Sequence, residues 1–490
     1  RDDLAGLIIT HAHEDHLGAV AHLWRRLHCP VWATPFAGNL LRNKLEEAGL
    51  LHEVPLHVIE PGQRLQIGPF SIDFVPLTHS TLEMNALAIR TDAGLVLHTG
   101  DWKLDPEPLV GPGSDQEALR LLGDEGVMAM IGDSTNALIE GTSGSEAEVR
   151  DKLLEICANR RGRVAVTTFA SNVARIDTVA RVAAANGRHL VLVGRSLWRI
   201  LAAARDCGYL QHIAPPLTDD EGGYLPPDKV MFLCTGSQGE PRAALARIAT
   251  GDHRHVVFEK GDLVIFSSRV IPGNEMAIGR LQNRLLWNGV EVIGEEEGGI
   301  HVSGHPCRDE LAEMYRLVRP KIAVPVHGEY KHMLAHAELA RSMQVPEAMV
   351  IENGQALRLE PGGTEVVAEV QSGRCFVDGS VVVPADDDGI RMRRKLSFSG
   401  GGAVILVANQ DGELLADPEL ILQGLATDNG LTSLAEEGAR AVENAVDNLP
   451  RLARRDDVRV TEAARIALRR LIRKRLGKRA VIEARIIRVD

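Results

Sequence analysis

The sequence predicts an α/β protein of two or three domains, in which polar residues cluster where apolar strands end. Three observations carry this prediction. A short apolar strand runs into a histidine-rich loop near residue 10, strands and helices alternate from residue 164 to residue 266, and residues 386–490 show a separate small α/β pattern. A chain of 490 residues is long enough to bury a sizeable core in each domain.

Composition excludes several classes of protein. Hydrophobic residues make up 44% and charged residues 25% of the chain, as in soluble globular proteins, and no apolar run is long enough to span a membrane. The net charge of −12 does not indicate a general nucleic-acid binder, so basic groups that contact RNA would be local. Six cysteines without a CxxC pair favour a reducing cytoplasm. Because the chain begins at Arg1, almost inside a strand, we expect a segment upstream of it.

The first element is the strand Leu7–Ile9, followed by a His-x-His-x-Asp-His motif and a helix. In the extended part of this loop, His11 and His13 point the same way. Asp15 and His16 open the helix and can point at a neighbouring position. One loop can therefore serve two cations about 3.5–4 Å apart. A polar loop that is rich in histidine by chance is the alternative, and the regular spacing argues against it.

The next strands each lead into a candidate ligand. His79, Asp101 and Asp133 come shortly after apolar strands, and this is how α/β hydrolases assemble an active-site face. The predicted elements are strands at 31–34, 57–59, 70–75, 86–90, 95–98 and 128–131 and a helix at 39–48.

From residue 146 the pattern is a βαβα series. It predicts helices at 146–159 and 173–185 and strands at 164–169, 189–193, 230–234 and 263–266. Hydroxyl, glycine and arginine residues follow these strands. Such loops can present hydrogen-bond donors to phosphates, but ordinary turns have the same composition, and the residues alone leave the two interpretations open.

Histidines then return near residue 300. His301 and His305 flank a Val-Ser-Gly segment, and His327 ends the apolar strand 322–326, which makes His327 a candidate ligand and His305 a candidate site residue. The remaining chain predicts a hairpin from strands at 403–408 and 420–424, helices at 432–448 and 461–476, and a final strand at 480–489.

These residues together resemble a known family. The motif at 11–16, with His79, Asp101 and His327, resembles the metallo-β-lactamase fold, and the large segment between Asp133 and His305 resembles the β-CASP nucleases. Closer likeness to bacterial ribonuclease J lies in the segments 133–138, 235–241, 271–275 and 301–305. The resemblance covers essentially the whole chain.

The resemblance implies an αββα sandwich, with its N-terminal strands missing here, an inserted β-CASP domain and a small C-terminal α/β domain. The implied domains are 1–149 with 311–365 (metallo-β-lactamase), 150–310 (β-CASP), 366–385 (linker) and 386–490 (C-terminal). It also implies 5′-to-3′ exonuclease activity that prefers 5′-monophosphate ends, with endonuclease activity as well. RNA is the expected substrate in a cytoplasmic protein without membrane contact. A homodimer or homotetramer through the C-terminal domain and RNA-degradation partners are further expectations.

The family also assigns roles to individual residues. Two zinc ions are implied, one held by His11, His13 and His79, the other by Asp15, His16 and His327, with Asp101 as the bridge. Asp15, His305 and Asp133 are the implied catalytic residues, with His305 on the scissile phosphate and Asp133 supporting the site. The implied residues of the RNA and 5′-phosphate pocket are Ser267, His301, Ser303 and His305.

Chemistry alone points in the same direction. Imidazole and carboxylate ligands without a thiolate suit Zn²⁺ or Mn²⁺, with Mg²⁺ as a further alternative. Two such ions and a histidine outside the ligand set favour phosphodiester hydrolysis. Three other functions stay open at this point: a β-CASP nuclease that acts on DNA, a thioesterase on the same fold, and a catalytically silent subunit that binds RNA.

Overall fold

The computed structural model describes residues 4–60, 62–360, 362–426 and 430–489. The chain divides into two compact units, Arg1–Gln371 and Ser372–Asp490. Among the described residues, no helix is both long and apolar enough to cross a bilayer.

Two sheets form the centre of the first unit. The smaller sheet is parallel and consists of β1 (Leu7–Ile9), β2 (Val31–Ala33) and β3 (Leu56–Val58), in that order. The strands of the larger, mixed sheet are β4 (Arg64–Ile67), β5 (Phe70–Pro76), β6 (Asn85–Thr91), β7 (Gly94–His98), β8 (Val127–Asp133), β14 (Ile322–Val326) and β15 (Glu347–Ala348). Their order is β15-β14-β8-β7-β6-β5-β4.

The two sheets pack through alternating apolar side chains. Ile8 and Trp32 of the smaller sheet meet Ile72, Phe74 and Leu87 of the larger one in a single cluster. Side chains alternate along a strand, so the residues next to these point outward and need a second cover. Helices supply it on both outer faces. The first unit therefore contains the four αββα layers that the sequence predicted.

Helices of the sandwich lie in two groups. On the smaller sheet are α1 (Glu14–Leu17), α2 (Val20–Leu27) and α3 (Pro35–Glu47), and on the larger sheet are α4 (Gln116–Glu125), α11 (Arg308–Val318) and α12 (Tyr330–Ser342). A hairpin of β16 (Gln355–Glu360) and β17 (Gly363–Glu369) follows β15. Leu357 and Leu359 of this hairpin pack on the inner face of β8 and β14.

A five-stranded parallel sheet is inserted between β8 and β14. Its strands are β9 (Val164–Thr167), β10 (His189–Val193), β11 (Val230–Cys234), β12 (Leu263–Phe266) and β13 (Glu291–Ile293), in the order β10-β11-β9-β12-β13. The helices are α5 (Glu146–Cys157), α6 (Val173–Ala185), α7 (Arg195–Asp206), α8 (Asp219–Gly223), α9 (Ala244–Thr250) and α10 (Glu275–Trp287), with short 3₁₀ helices at Pro227–Lys229 and Glu295–Glu297. Because all five strands are parallel, their carboxyl ends meet at one edge.

The second unit contains a hairpin of residues 375–384 and a three-stranded sheet on which two of its three helices pack. Strands β20 (Gly401–Ala408), β21 (Glu419–Gln423) and β22 (Val481–Arg488) form it in the order β21-β20-β22. The helices are α13 (Asp388–Ser399), α14 (Gly430–Asp447) and α15 (Asp457–Leu476), with a 3₁₀ helix at Ala453–Arg455. Apolar side chains of α14 and α15 share one core with β20 and β22.

Some local elements differ from the predicted ones. The boundary between the two units, at Gln371, falls within the predicted linker 366–385, and the same range contains the end of β17 and a hairpin of β18 (Cys375–Asp378) and β19 (Val381–Pro384). Three consecutive valines in β19 favour an extended strand, which outweighs the turn signal of the aspartates that follow. Helix α3 begins at Pro35, four residues before the predicted start, because proline fits the first helical turn. Strand β4 was missed in the sequence.

Candidate metal and phosphate site

The histidine-rich loop folds as its spacing predicts. Strand β1 ends at Ile9 and α1 begins at Glu14, so the segment from His11 to His13 is extended while Asp15 and His16 stand in the first helical turn. This change of backbone conformation turns the first two imidazoles and the last two ligand-type groups toward separate positions.

One group of ligand atoms consists of three histidines. His11, His13 and His79 place one nitrogen each within 4.8 Å of one another. Nδ1 of His79 donates to the Gly304 carbonyl at 2.5 Å, which leaves its Nε2 as the lone-pair atom, 2.9 Å from Nδ1 of His13. A second hydrogen bond of this kind fixes the orientation of metal-ligating histidines. Nε2 of His11 is buried without a hydrogen-bond partner among the described residues, as expected for an atom that coordinates a cation.

The second group contains two carboxylates and two histidines. Asp15, His16, Asp101 and His327 also have ligand atoms within 4.8 Å of one another. Oδ2 of Asp101 lies 3.1 Å from Nε2 of His16 and 3.4 Å from Nε2 of His327. The same oxygen is 3.9 Å from Nε2 of His11, in the first group. Asp101 therefore stands between the two groups, where a bridging ligand would lie.

Electrostatics differ between the two groups. Burial, followed by repulsion from neighbouring histidines, lowers the pKa of His11 and His79 well below the ordinary value, and burial lowers that of His13 to about 4. Burial also acts on His16, but hydrogen bonds to Asp101 and Asp15 raise its pKa to about 9. Hydrogen bonds to Asp133 and Asp15 raise the pKa of His327 to about 10. The three histidines of the first group are thus neutral, which suits coordination of a cation. The two histidines of the second group, next to carboxylates, strongly favour the protonated form.

A buried carboxylate, that of Asp133, holds the ring of His305 in place. Asp133, at the end of β8, accepts hydrogen bonds from the backbone and hydroxyl of Thr135 at 2.9 and 2.7 Å and lies 2.7 Å from Nδ1 of His305. Burial opposes its charge, but the charges of His305 and His327, and their hydrogen bonds to this carboxylate, hold the pKa of Asp133 below its usual range. His327 has a φ of 54°, an uncommon left-handed conformation for a non-glycine residue.

The residues predicted for the 5′-phosphate pocket are in three different situations. Ser303 Oγ accepts from the Asn136 amide at 2.8 Å and from the His305 backbone at 3.2 Å, so its proton is available. His301 keeps a buried Nδ1 without a partner among the described residues, and burial lowers its pKa to about 3. Ser267 is fully buried and donates to a backbone carbonyl at 2.6 Å, which leaves no proton for a phosphate.

Sequence reasoning gave no role to several supporting residues. Arg269 follows β12 and donates to Asn136 at 2.6 Å, while Arg175 on α6 is fully buried and binds Glu146 and the carbonyl of Ile300. Position after a strand was a signal for Arg269 and Asn136. A sequence signal for Arg175 was lacking, because an arginine on a helix is usually exposed.

The donor set fits a pair of divalent cations. Five histidines and two aspartates form the two groups, and the six free cysteines take no part in any ligand cluster of the described residues. Imidazole and carboxylate ligands of this kind suit Zn²⁺ or Mn²⁺.

Comparisons with known proteins define the class. The chain matches models of the beta-lactamase superfamily domain over residues 1–113, the ribonuclease J beta-CASP domain over 161–285, the Zn-dependent metallo-hydrolase RNA specificity domain over 291–349, and the ribonuclease J C-terminal domain over 389–489. Fold and site thus define a metallo-hydrolase of the β-lactamase superfamily with an inserted β-CASP domain.

Individual relatives narrow the class to one family. The chain is 45% identical to ribonuclease J of Sinorhizobium meliloti over 490 residues, covering 100% of this chain and 87% of that protein. It is 37% identical to ribonuclease J of Mycolicibacterium smegmatis, covering 95% and 83%, and 36% identical to ribonuclease J 1 of Streptococcus pyogenes, covering 91% and 80%. The chain belongs to the ribonuclease J family, as the sequence motifs predicted.

Proposed function

We propose that this protein is a metal-dependent ribonuclease that hydrolyses RNA phosphodiester bonds in RNA decay and processing. It acts as a 5′-to-3′ exonuclease that prefers 5′-monophosphate ends, and it also acts as an endonuclease. Two Zn²⁺ ions, or Mn²⁺ or Mg²⁺ in their place, are the proposed cofactors. The single observation that carries the proposal is the position of one oxygen, Oδ2 of Asp101, between two groups of ligands beside the Asp133 and His305 pair.

The proposed reaction needs groups that hold the phosphate and the leaving oxygen. The chemistry that two divalent cations supply, when bound, is activation of a water and neutralisation of charge on the phosphoryl oxygen. His305 stands between the rings of His79 and His327, with centroid distances of 5.1 and 5.6 Å. Asp133 fixes its Nδ1, so the other nitrogen is free to bind a phosphate oxygen or to protonate the departing 3′ oxygen.

The preference for a 5′-monophosphate is assigned to the loop that carries His305. His301 and Ser303 lie on this loop, and the Asn136 amide joins Ser303 to the carbonyl of His305. Arg269 contributes positive charge next to Asn136. A 5′-phosphate bound here would lie on the same loop as His305, close to the scissile bond. Stepwise removal of nucleotides from the 5′ end requires this proximity.

Three expectations from the sequence stay predictions. Self-association as a homodimer or homotetramer would take place through the second unit, whose exposed side chains include Phe398 and Leu452. Binding to other proteins of RNA degradation and a cytoplasmic location are the other two.

The proposal is tested with His79→Ala and Asp101→Ala. We expect both variants to lose cleavage of a 5′-monophosphorylated RNA while they still bind it, and mass spectrometry to find fewer than two bound metal ions per chain. His189→Ala, at an exposed position at the start of β10, is the matched control and should keep both properties. Matched DNA should be cleaved far more slowly than RNA. Wild-type cleavage rates in Asp101→Ala would contradict the bridging role, and equal cleavage of DNA would contradict the substrate class.

A further inference from the structure

A basic cavity lies at the carboxyl edge of the inserted sheet, apart from the metal-ligand groups. It opens where β10 and β11 end and has a volume of about 570 Å³. We call it the arginine pocket, after four of its lining residues, Arg195, Arg199, Arg242 and Arg247. The carboxyl edge of parallel strands is where α/β folds bind ligands, and the volume is in the range of small-ligand sites.

Positive charge in the arginine pocket is only partly neutralised. Asp219 is the one carboxylate among its described lining residues. Arg195 and Arg242 make no ion pair with any described residue, and Arg247 donates only weakly, at 3.4 Å, to a backbone carbonyl. Arg199 is paired with a glutamate of α3 at 2.7 Å. All four arginines are exposed, so their guanidinium groups are accessible to an anion from solution.

A helix also begins at this pocket. Helix α7 is 12 residues long, and no described side chain caps its N-terminus. Gly194, Arg195 and Ser196 line the pocket, so the unpaired N–H groups of the first turn add to its positive potential. Gly194 has a φ of 136°, and a Cβ there would lie 2.5 Å from Thr235. This close approach brings the hydroxyl of Thr235, the residue that follows β11, beside the helix N-terminus, a combination that binds phosphate in many folds.

A second cavity of about 240 Å³ is lined both by the metal-ligand loop and by residues of the arginine pocket. Ala12, between two predicted ligands, lines it, and Ser196 and Arg199 line both cavities. The two glutamates in this lining are both paired, Glu14 with Lys44 at 2.8 Å and Glu47 with Arg199. Their negative charge is therefore offset within the cavity.

We propose that the arginine pocket binds phosphate groups, and that its position favours the phosphates of an RNA strand extending beyond the metal-ligand groups. This choice of source rests on the ribonuclease function proposed above. A free nucleoside phosphate offers the same chemistry and is the alternative source. Guanidinium forks and helix N–H groups recognise the phosphate itself, so binding is independent of base sequence.

The test is a binding series on the whole chain with its metals. Fluorescence anisotropy measures the affinity for uncleavable 2′-O-methyl oligomers with a 5′-monophosphate, from about 4 to about 16 nucleotides long. The double variant Arg195→Ala/Arg242→Ala is compared with the control Arg280→Ala, an exposed arginine on α10 outside the pocket. Calorimetric titration with ATP and with inorganic phosphate probes the alternative source. Since all three arginines are exposed, thermal unfolding should be unchanged in both variants.

We expect wild-type affinity to rise with length, and the double variant to bind the longest oligomers at least about ten-fold more weakly than wild type. Its slope of log K against log salt should fall by about 1.4, for two lost phosphate contacts on a single strand. Arg280→Ala should keep the wild-type length dependence. ATP binding that the double variant loses, without any change in the length series, would support a phosphate site but overturn the RNA source.

Equal behaviour of wild type and double variant in all titrations would overturn the pocket itself. These assays measure binding, so their result does not depend on cleavage. A chain that binds through the arginine pocket but leaves RNA intact would refute the proposed function alone.

Discussion

Replacing Arg175 by methionine removes a buried cation that joins three parts of the first unit. Its guanidinium is completely buried and donates to Glu146 at 3.1 Å, to the Ser267 carbonyl at 2.8 Å and to the Ile300 carbonyl at 3.3 Å. Glu146, with 4% of its side chain exposed, would keep only the Asn172 amide at 3.2 Å. Breaking a buried ion pair by removing one partner costs about 3–5 kcal/mol, and we expect the free energy of unfolding of the first unit to fall by that amount.

Tryptophan fluorescence can measure this unit alone. All five tryptophans lie between residues 24 and 287, and the second unit contains none. Urea denaturation of Arg175→Met, of Glu146→Met and of the double variant completes a double-mutant cycle. We expect the double variant to lose less stability than the sum of the single losses, by more than about 2 kcal/mol, because neither charge is then left alone.

Arg316→Met is the matched control for this experiment. Arg316 forms an exposed ion pair with Glu313, 61% and 37% exposed, and should change stability by less than about 1 kcal/mol. A free energy of unfolding for Arg175→Met equal to that of the control, or additive losses in the cycle, would contradict a stabilising role for this buried ion pair.

Two more predictions concern the loop that carries the site. In Gly304→Ala the added methyl group would lie 2.9 Å from Nδ1 of His79, so we expect that ring to be displaced. Mass spectrometry should then find fewer bound metal ions per chain. Gly279→Ala is the control, because its methyl group would meet nothing within 4 Å, and it should keep the metal ions. Full metal content in Gly304→Ala would contradict the assignment of His79. Ser303→Ala removes one of the two acceptors of the Asn136 amide, and cleavage assays should show the preference for 5′-monophosphate over 5′-hydroxyl RNA reduced, on the order of ten-fold. An unchanged preference excludes Ser303 from the pocket.

The predicted metal ligands were accessible to sequence reasoning because of where they stand. His79, Asp101 and His327 each follow an apolar strand, and strands that share a sheet bring their ends together. The loop after β1 holds four more ligand-type residues within the six residues 11–16. Neither fact requires knowledge of packing, so the pattern of apolar runs predicted that these strand ends form one active-site face, while the assignment of the seven residues to two ions came from the family resemblance.

The supporting contacts could not be predicted in this way. Arg175 stands on a helix, where sequence alone suggests exposure, and only the tertiary structure shows it buried between Glu146 and Ser267. Ser267 was predicted to bind phosphate, but in the structure its hydroxyl donates to a backbone carbonyl. A hydroxyl after a strand can face either a ligand or a neighbouring carbonyl, and the sequence does not distinguish the two. That choice depends on the distance to residue 300, which is 33 positions away in the chain.

The loop of residues 300–305 contacts both the inserted domain and the ligand groups. Within residues 300–305, the Ile300 carbonyl is held by Arg175, the Gly304 carbonyl holds His79, and the ring of His305 is held by Asp133. A displacement of the inserted domain would therefore move a predicted metal ligand and a predicted catalytic histidine together. This coupling explains why a costly buried charge is placed behind the loop: it fixes the position of the phosphate-binding segment relative to the ligands, on which in-line attack depends.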